Sequence, residues 1–131
     1  MKKILLVDDS KEIYWMVSQT VGGIGNVTWA KCLDEATVLL KESEFNLMIL
    51  DIELPDGDGI EFCSRIKPLH PNIPVLFITS HTTLDEKKLA FKVGAEGFIT
   101  KPFSPPVLRE RIEGVGIKED MIELLELYLV G

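Results

Sequence analysis

Cysteine is scarce in this chain, and the arrangements that would give it chemistry are missing. Cys32 and Cys63 are the only two among 131 residues, and neither sits in a CxxC pair or near a histidine cluster. A disulfide framework and a zinc site therefore find no support, and two reduced, partly buried thiols are expected. Basic residues are also in deficit. Fourteen lysines and arginines against 21 acids leave a net charge of −7, which repels phosphate backbones and anionic lipid surfaces. Neither nucleic acid nor a membrane is expected as a direct partner. Long hydrophobic runs are lacking too. Met1, Lys2 and Lys3 followed by ILLV imitate the start of a signal peptide, but Asp8 and Asp9 end the apolar run far short of an h-region, so the chain reads as cytoplasmic.

What is present is a 46% hydrophobic composition, enough for one core in a chain of this length. Residues 45–50, FNLMIL, form an apolar run without alternation that reads as a strand buried on both faces, and Asp51 ends it. Pro55, Gly57 and Gly59 then imply a loop, with Asp56 and Asp58 as turn residues, since their spacing fails the calcium-loop pattern. Ile60, Phe62, Cys63 and Ile66 supply a helical stripe that ends at Lys67-Pro68, where the residue before proline leaves the helical conformation.

The same grammar recurs along the chain. KILLV at 3–7 is a continuous strand ending at Asp8-Asp9, and Ser10 or Asp9 caps a helix with Ile13, Met16, Val17 and Val21 on its apolar face. Asn26 to Ala30 reads as a strand with Val27 and Trp29 on one face. A helix opening at Leu33 or Asp34 runs to about Ser43. Val75 to Ile78 forms a fourth strand ending at Thr79-Ser80, and Leu84, Leu89, Ala90 and Val93 are the expected stripe of the next helix, closed by Gly94. Gly97 to Ile99 is a brief fifth strand delivering Lys101-Pro102, a bond expected to be cis. Ser104-Pro105 opens a fifth helix with Val107, Leu108 and Ile112, broken at Gly114-Val115-Gly116. Strand and helix alternate five times, which predicts an α/β fold: a parallel sheet covered on both faces, with polar strand ends gathered at one rim.

Two domain segments are expected, 1–113 as the folded unit and 114–131 as an amphipathic helix or linker. Ile117, Met121, Leu124, Leu125 and Tyr128 recur at helical spacing, and a helix over about Ile117 to Leu129 would need that stripe covered by protein, most simply a second copy of the chain in a homodimer.

In an open α/β sheet, ligands bind outside the carboxyl ends of the strands. Asp8, Asp9 and Asp51 would meet there as three mutually repelling carboxylates, a set suited to a hard divalent cation, and oxygen-only ligands favour Mg²⁺. Lys101 adds a cation, here read as an exposed rim lysine of little weight for stability, and Thr79 adds a hydroxyl. Metal, ammonium and hydroxyl would together neutralise a phosphoryl group while a carboxylate attacks it. Taken singly, each residue has a plainer reading: Asp51 as a turn residue, Thr79 as a cap, Phe98 as core, Lys101 as solvated. Their coincidence favours phosphoryl transfer to aspartate.

Four motifs in order, VDD at 7–9, DIELPDGDG at 51–59, ITS at 78–80 and GAEGFITKPF at 94–103, resemble the receiver domain of two-component response regulators, over about residues 2 to 113. The resemblance implies a doubly wound (βα)5 flavodoxin-like sandwich of strand order 2-1-3-4-5. It implies Asp51 as phosphoacceptor, Asp8, Asp9, Asp51 and the Glu53 main-chain carbonyl as Mg²⁺ ligands, Thr79 and Lys101 as the phosphoryl-contacting pair, and Thr79 with Phe98 as the switch. A sensor histidine kinase or phosphotransfer protein would be the donor and an output protein or domain the recipient of the signal, the chain being no enzyme beyond its own phosphorylation and dephosphorylation. Glu53 and His81 occupy the family positions that flank the phosphoryl group, and Phe98 lacks a tyrosine's hydroxyl. Residues 114–131 fall outside the resemblance and carry no sign of a DNA-binding or enzymatic output domain. Two other classes compete: an aspartyl phosphatase of the haloacid-dehalogenase type, which has a second Asp where this chain has Glu53, and a degenerate receiver acting as a constitutive interaction module, against which the intact Asp9, Asp51, Thr79 and Lys101 argue.

Overall fold

The computed structural model describes residues 2–80 and 83–115. The chain runs β1 (Lys2–Val7), α1 (Lys11–Thr20), β2 (Gly25–Ala30), α2 (Leu33–Glu42), β3 (Leu47–Asp51), β4 (Glu53–Leu54), β5 (Gly57–Asp58), α3 (Gly59–Ile66), β6 (Val75–Thr79), α4 (Leu84–Lys92), β7 (Ala95–Thr100) and a fifth helix, α5, over 105–115. The five long strands form one sheet of order β2-β1-β3-β6-β7, every neighbouring pair parallel. With the small β4–β5 hairpin set aside, this is the expected 2-1-3-4-5.

Continuous apolar runs make sense in this setting because alternate residues of one strand bury against opposite layers. Leu5 and Val7 of β1 join a cluster with Ala36, Leu40, Phe62, Cys63, Ile66 and Ala90 from α2, α3 and α4. Ile4 and Leu6 face the other way, into a cluster with Val17, Val21, Leu108 and Ile112 from the α1 and α5 side. Both faces are thus covered, and the central strands β3 and β6 are buried along their whole length, while the edge strands β2 and β7 are partly open to solvent.

Several expectations are corrected. The segment after Asp51 is a short antiparallel hairpin, with Glu53 opposite Asp58 and Leu54 opposite Gly57, rather than a loop without strand pairing. Its two aspartates are helix caps. Asp58 Oδ1 accepts from the Ile60 and Glu61 N–H groups at the start of α3, and the Asp56 carboxylate reaches across to accept from Leu33 N and Asp34 N at the start of α2. Those amide bonds hold the Asp56 carboxyl below the usual carboxylate range, the Leu33 bond foremost. Lys67, though before a proline, stays in the right-handed helical region as the C-cap of α3.

The stripe expected on α4 is only partly buried: Ala90 is inside and Val93 packs against the core, while Leu84 and Leu89 are exposed. At about 100° per residue, Leu84 lies about 120° around the helix from Ala90, and α4 sits over the β7 edge, where it can bury only a narrow strip. Gly94 does close α4, at φ 112°, a conformation that favours glycine. The fifth helix does not break at Gly114. It carries through to 115, where Val115 is buried, a gain that offsets the roughly 1 kcal/mol penalty of a helical glycine. The tail helix expected over 117–129 and its stripe lie outside the described residues, as does His81.

Gly59 ties the fold to the rim. Its N–H donates to Ile52 O at 2.7 Å, and a Cβ there would collide with the Asp51 carbonyl oxygen. Gly59→Ala is therefore expected to lower stability by about 1–3 kcal/mol, since main chain rather than a flexible side chain must move. Urea unfolding with an unchanged midpoint would refute this close approach.

Candidate functional site

The sheet register assembles the site. Val7 pairs with Leu50, Asp51 with Ile78, and Thr79 with Thr100, so the carboxyl ends of four strands terminate in one row. Asp8 follows β1, Asp51 closes β3, Thr79 closes β6 and Lys101 follows β7. The Lys101 N–H donates to Thr79 O at 2.7 Å, which fastens the lysine to the end of β6, and the Lys101-Pro102 bond is cis, as expected.

Lys101 Nζ lies 2.8 Å from Asp8 Oδ2 and 3.0 Å from Asp51 Oδ2. Asp8 and Asp51 are both buried, and the lysine side chain is 17% exposed. This corrects the reading of Lys101 as an exposed rim lysine: the ammonium stands between two buried carboxylates as their shared counter-charge. Burial pulls the Lys101 ammonium down, but the close contacts with the Asp8 and Asp51 carboxylates and their negative charge outweigh it and leave its pKa above the usual lysine value. Asp51 is raised from the usual 3.8. Burial is the main cause and Asp8 adds to it, against the opposing pull of Lys101 and of the Glu53 N–H, which donates to Asp51 Oδ1 at 3.3 Å.

The remaining residues fall where the sequence puts them, with differing surroundings. Asp9 is exposed beside Asp8, and ligand oxygens of Asp8, Asp9 and Asp51 all lie within 4.8 Å of one another. Asp8 Oδ1 accepts from Ser10 N at 2.8 Å, while its buried Oδ2 receives no hydrogen bond of acceptable angle and has only the Lys101 charge beside it. A buried carboxylate oxygen with spare lone pairs, next to two further carboxylates, fits a hard divalent cation, so this acidic cluster can bind a metal. Glu53 opens β4 with its side chain exposed. Thr79 is fully enclosed. Phe98 is 9% exposed and packs 6.2 Å from the Phe77 ring, with Lys87 Nζ 5.8 Å from its own centroid. It is a core residue at the sheet's edge.

Sequence reasoning missed three contributors. Asp58 was legible, since Asp58 and Glu61 carry the spacing of a capping box. Asp56 reaches a helix start more than twenty residues earlier in the chain and leaves no local signal. Nor does Trp29, whose indole N–H donates to the Asp8 carbonyl at 2.6 Å.

The Asp51 shift has a stability consequence with a definite sign. Its folded pKa lies above its unfolded value, so the protonated form is favoured by folding, and the ionised side chain opposes folding once pH rises through the folded value. Asp51→Asn should therefore raise the melting temperature at neutral pH, with the gain fading as pH falls toward 3.8. A destabilised Asn variant at pH 7 would contradict the assignment. Lys101→Met should do the reverse, leaving two buried carboxylates without their cation and lowering stability by about 3 kcal/mol at neutral pH, less on acidification. A loss below the error of denaturant melts would return Lys101 to the rim.

The sequence matches the response regulator receiver domain family over residues 4–113. It is 37% identical over 112 residues to the response regulator protein PilR of Pseudomonas aeruginosa, covering 85% of this chain and 25% of PilR. Among solved structures it resembles a CheY-like response regulator receiver domain protein from Methanospirillum hungatei, with a TM-score of 0.85, 29% identity and coverage of 92% and 98% of the two chains. It also resembles the BeF3-activated receiver domain of the Thermotoga maritima regulator DrrB, with a TM-score of 0.79, 33% identity and coverage of 88% and 97%. The chain spans a quarter of PilR and 46 to 52% of several other curated relatives. Among the described residues no helix is long and apolar enough to cross a membrane. With the family match spanning most of the chain, and relatives and solved structures of the same family agreeing with it, the chain belongs to the response regulator receiver domain family.

Proposed function

We propose that this receiver domain accepts a phosphoryl group on Asp51 from the phosphohistidine of a sensor kinase or phosphotransfer protein, and passes the change to an output protein or domain. The observation that carries the reading is the Lys101 ammonium held between Asp8 and Asp51, a preformed cation beside the one carboxylate that ends a central strand. An ionised Asp51 oxygen attacks phosphorus as the phosphorus–nitrogen bond breaks, and the imidazole leaves with the bonding pair and takes a proton. Lys101 is near enough to Asp51 to stabilise charge developing on the transferred oxygens, and the Glu53 N–H orients the carboxylate from the other side.

Asp8, Asp9 and Asp51, with the Glu53 main-chain carbonyl, would hold Mg²⁺. When bound, the ion supplies positive charge that offsets repulsion between the attacking carboxylate and the phosphoryl oxygens. Thr79 stands at the end of β6 beside the strand that carries Asp51, the position from which a hydroxyl can follow a new phosphoryl group. Phe98 would then answer through packing alone, since it has no hydroxyl to bond. The chain acts once on itself in this reading and turns over no separate substrate. DrrB's receiver is activated by BeF3, and the same probe suits this chain.

Incubation with a small phosphodonor and Mg²⁺, read by intact mass, should give a single phosphoryl addition in the unaltered chain and none in Asp51→Asn. The rate should begin to fall, on acidification, at a pH above that of an ordinary carboxylate, because burial raises Asp51. Addition to the Asn variant would move the phosphoacceptor elsewhere, and steady release of phosphate from a phosphomonoester would favour a phosphatase.

A further inference from the structure

Asp8 and Asp9 are held in different ways. The Asp8 carboxylate is anchored by Ser10 N and Lys101, and its N–H donates to Ala30 O at 3.1 Å, extending the ladder between β1 and β2 by one bond. The Asp8 carbonyl lies beyond the last paired residues, Val7 and Ala30, so no strand bond receives it. The Trp29 indole fills that gap at 2.6 Å. Among the described residues nothing bonds the exposed Asp9 side chain, so its placement depends on the peptide plane joining Asp8 to Asp9, and the oxygen of that plane is the one Trp29 holds.

The indole itself is clamped. Its ring stacks on Tyr14 at 4.5 Å between centroids and 9° between planes, and Lys31 Nζ stands 4.9 Å from its centroid. Tyr14 and Trp29 pack on the α1 side of the sheet, so the donor is fixed by two elements that flank the acidic pair.

We infer that Trp29 is a positioning residue for the metal site: its N–H fixes the Asp8–Asp9 peptide and thereby the direction in which Asp9 offers its carboxylate. The inference rests on the reading of Asp8, Asp9 and Asp51 as a Mg²⁺ site. Partners one step behind metal ligands orient them, and their loss weakens binding even where the ligands remain.

The test is Mg²⁺ binding by calorimetry together with NMR of the two indole N–H resonances in the full chain. Trp29→Phe keeps an aromatic ring for Tyr14 and loses the donor, and should raise the Mg²⁺ Kd about three- to tenfold. Benzothienylalanine at position 29, a near-isostere carrying sulfur in place of N–H, should raise it equally. Leu40→Ala, which disturbs the core on the opposite face, should lower stability and leave the Kd unchanged. In the unaltered chain the Trp29 indole proton should exchange more slowly than that of Trp15, which is 66% exposed, and should shift with Mg²⁺ along the calorimetric isotherm. An unchanged Kd in the benzothienylalanine protein overturns the inference, as does a Trp29 resonance indifferent to Mg²⁺, an observation that stands even if the variants do not fold. Failure of the unaltered chain to bind Mg²⁺ is a separate result that removes the metal site itself and the inference with it.

Discussion

Two carboxylates buried at the end of a sheet repel each other and have lost most of their water, and the Lys101 ammonium between Asp8 and Asp51 is what makes that arrangement tenable. The ammonium donates a charge-assisted hydrogen bond to Asp51 at 3.0 Å and stands 2.8 Å from Asp8 Oδ2 as an ion pair, and the lysine is itself largely enclosed. Compensation is incomplete. Burial still raises Asp51 above the ordinary carboxylate value, and the inner oxygen of Asp8 lacks a well-directed donor. A site left short of positive charge is one that a divalent cation or a phosphoryl-bound metal can complete, so the same imbalance that opposes folding favours binding.

The rest of the fold can be understood as the scaffold that brings these charges together. β1, β3, β6 and β7 end in a common row because their hydrogen-bond registers are fixed by side chains that must face one layer or the other, and a slip of one residue would turn every buried side chain of a strand to the wrong face. The loops then add detail that strand pairing alone would leave loose. The β4–β5 hairpin folds over through Asp56 onto α2 and through Asp58 onto α3, so the segment following Asp51 is tied at both ends. Gly59 lets that segment return against the Asp51 carbonyl, and Trp29 reaches the Asp8 carbonyl from the neighbouring strand.

Surface and interior are apportioned unevenly around this scaffold. The helices α2 and α3 bury the apolar stripes that their periodicity implies, whereas α4 leaves Leu84, Leu89 and Phe91 in solvent. The difference is one of position: α2 spans two neighbouring strands, β2 and β1, whereas α4 packs chiefly on the single edge strand β7. Periodicity reports which residues share a face of a helix. It says nothing of how wide a sheet lies beneath that face.

The alternation of strand and helix, the two covered faces and the rim placement of Asp8, Asp9, Asp51, Thr79 and Lys101 were legible in the sequence itself, whereas the strand order came only through the resemblance to receiver domains. Continuous apolar runs ended by polar residues are local signals, and a parallel sheet has few ways to connect them. The cap of α3 by Asp58 was within reach of the same reasoning. What tertiary structure alone decided is the environment of each charge. That Lys101 is enclosed rather than solvated depends on the depth of the rim, that Asp56 caps α2 depends on a hairpin folding back, and that Trp29 holds the Asp8 carbonyl depends on the register of β1 against β2. Each of these contacts joins residues more than twenty positions apart in the chain. A hydrogen bond or ion pair across such a separation leaves no periodicity behind, because it is set by distances in space that only the packed sheet and helices define.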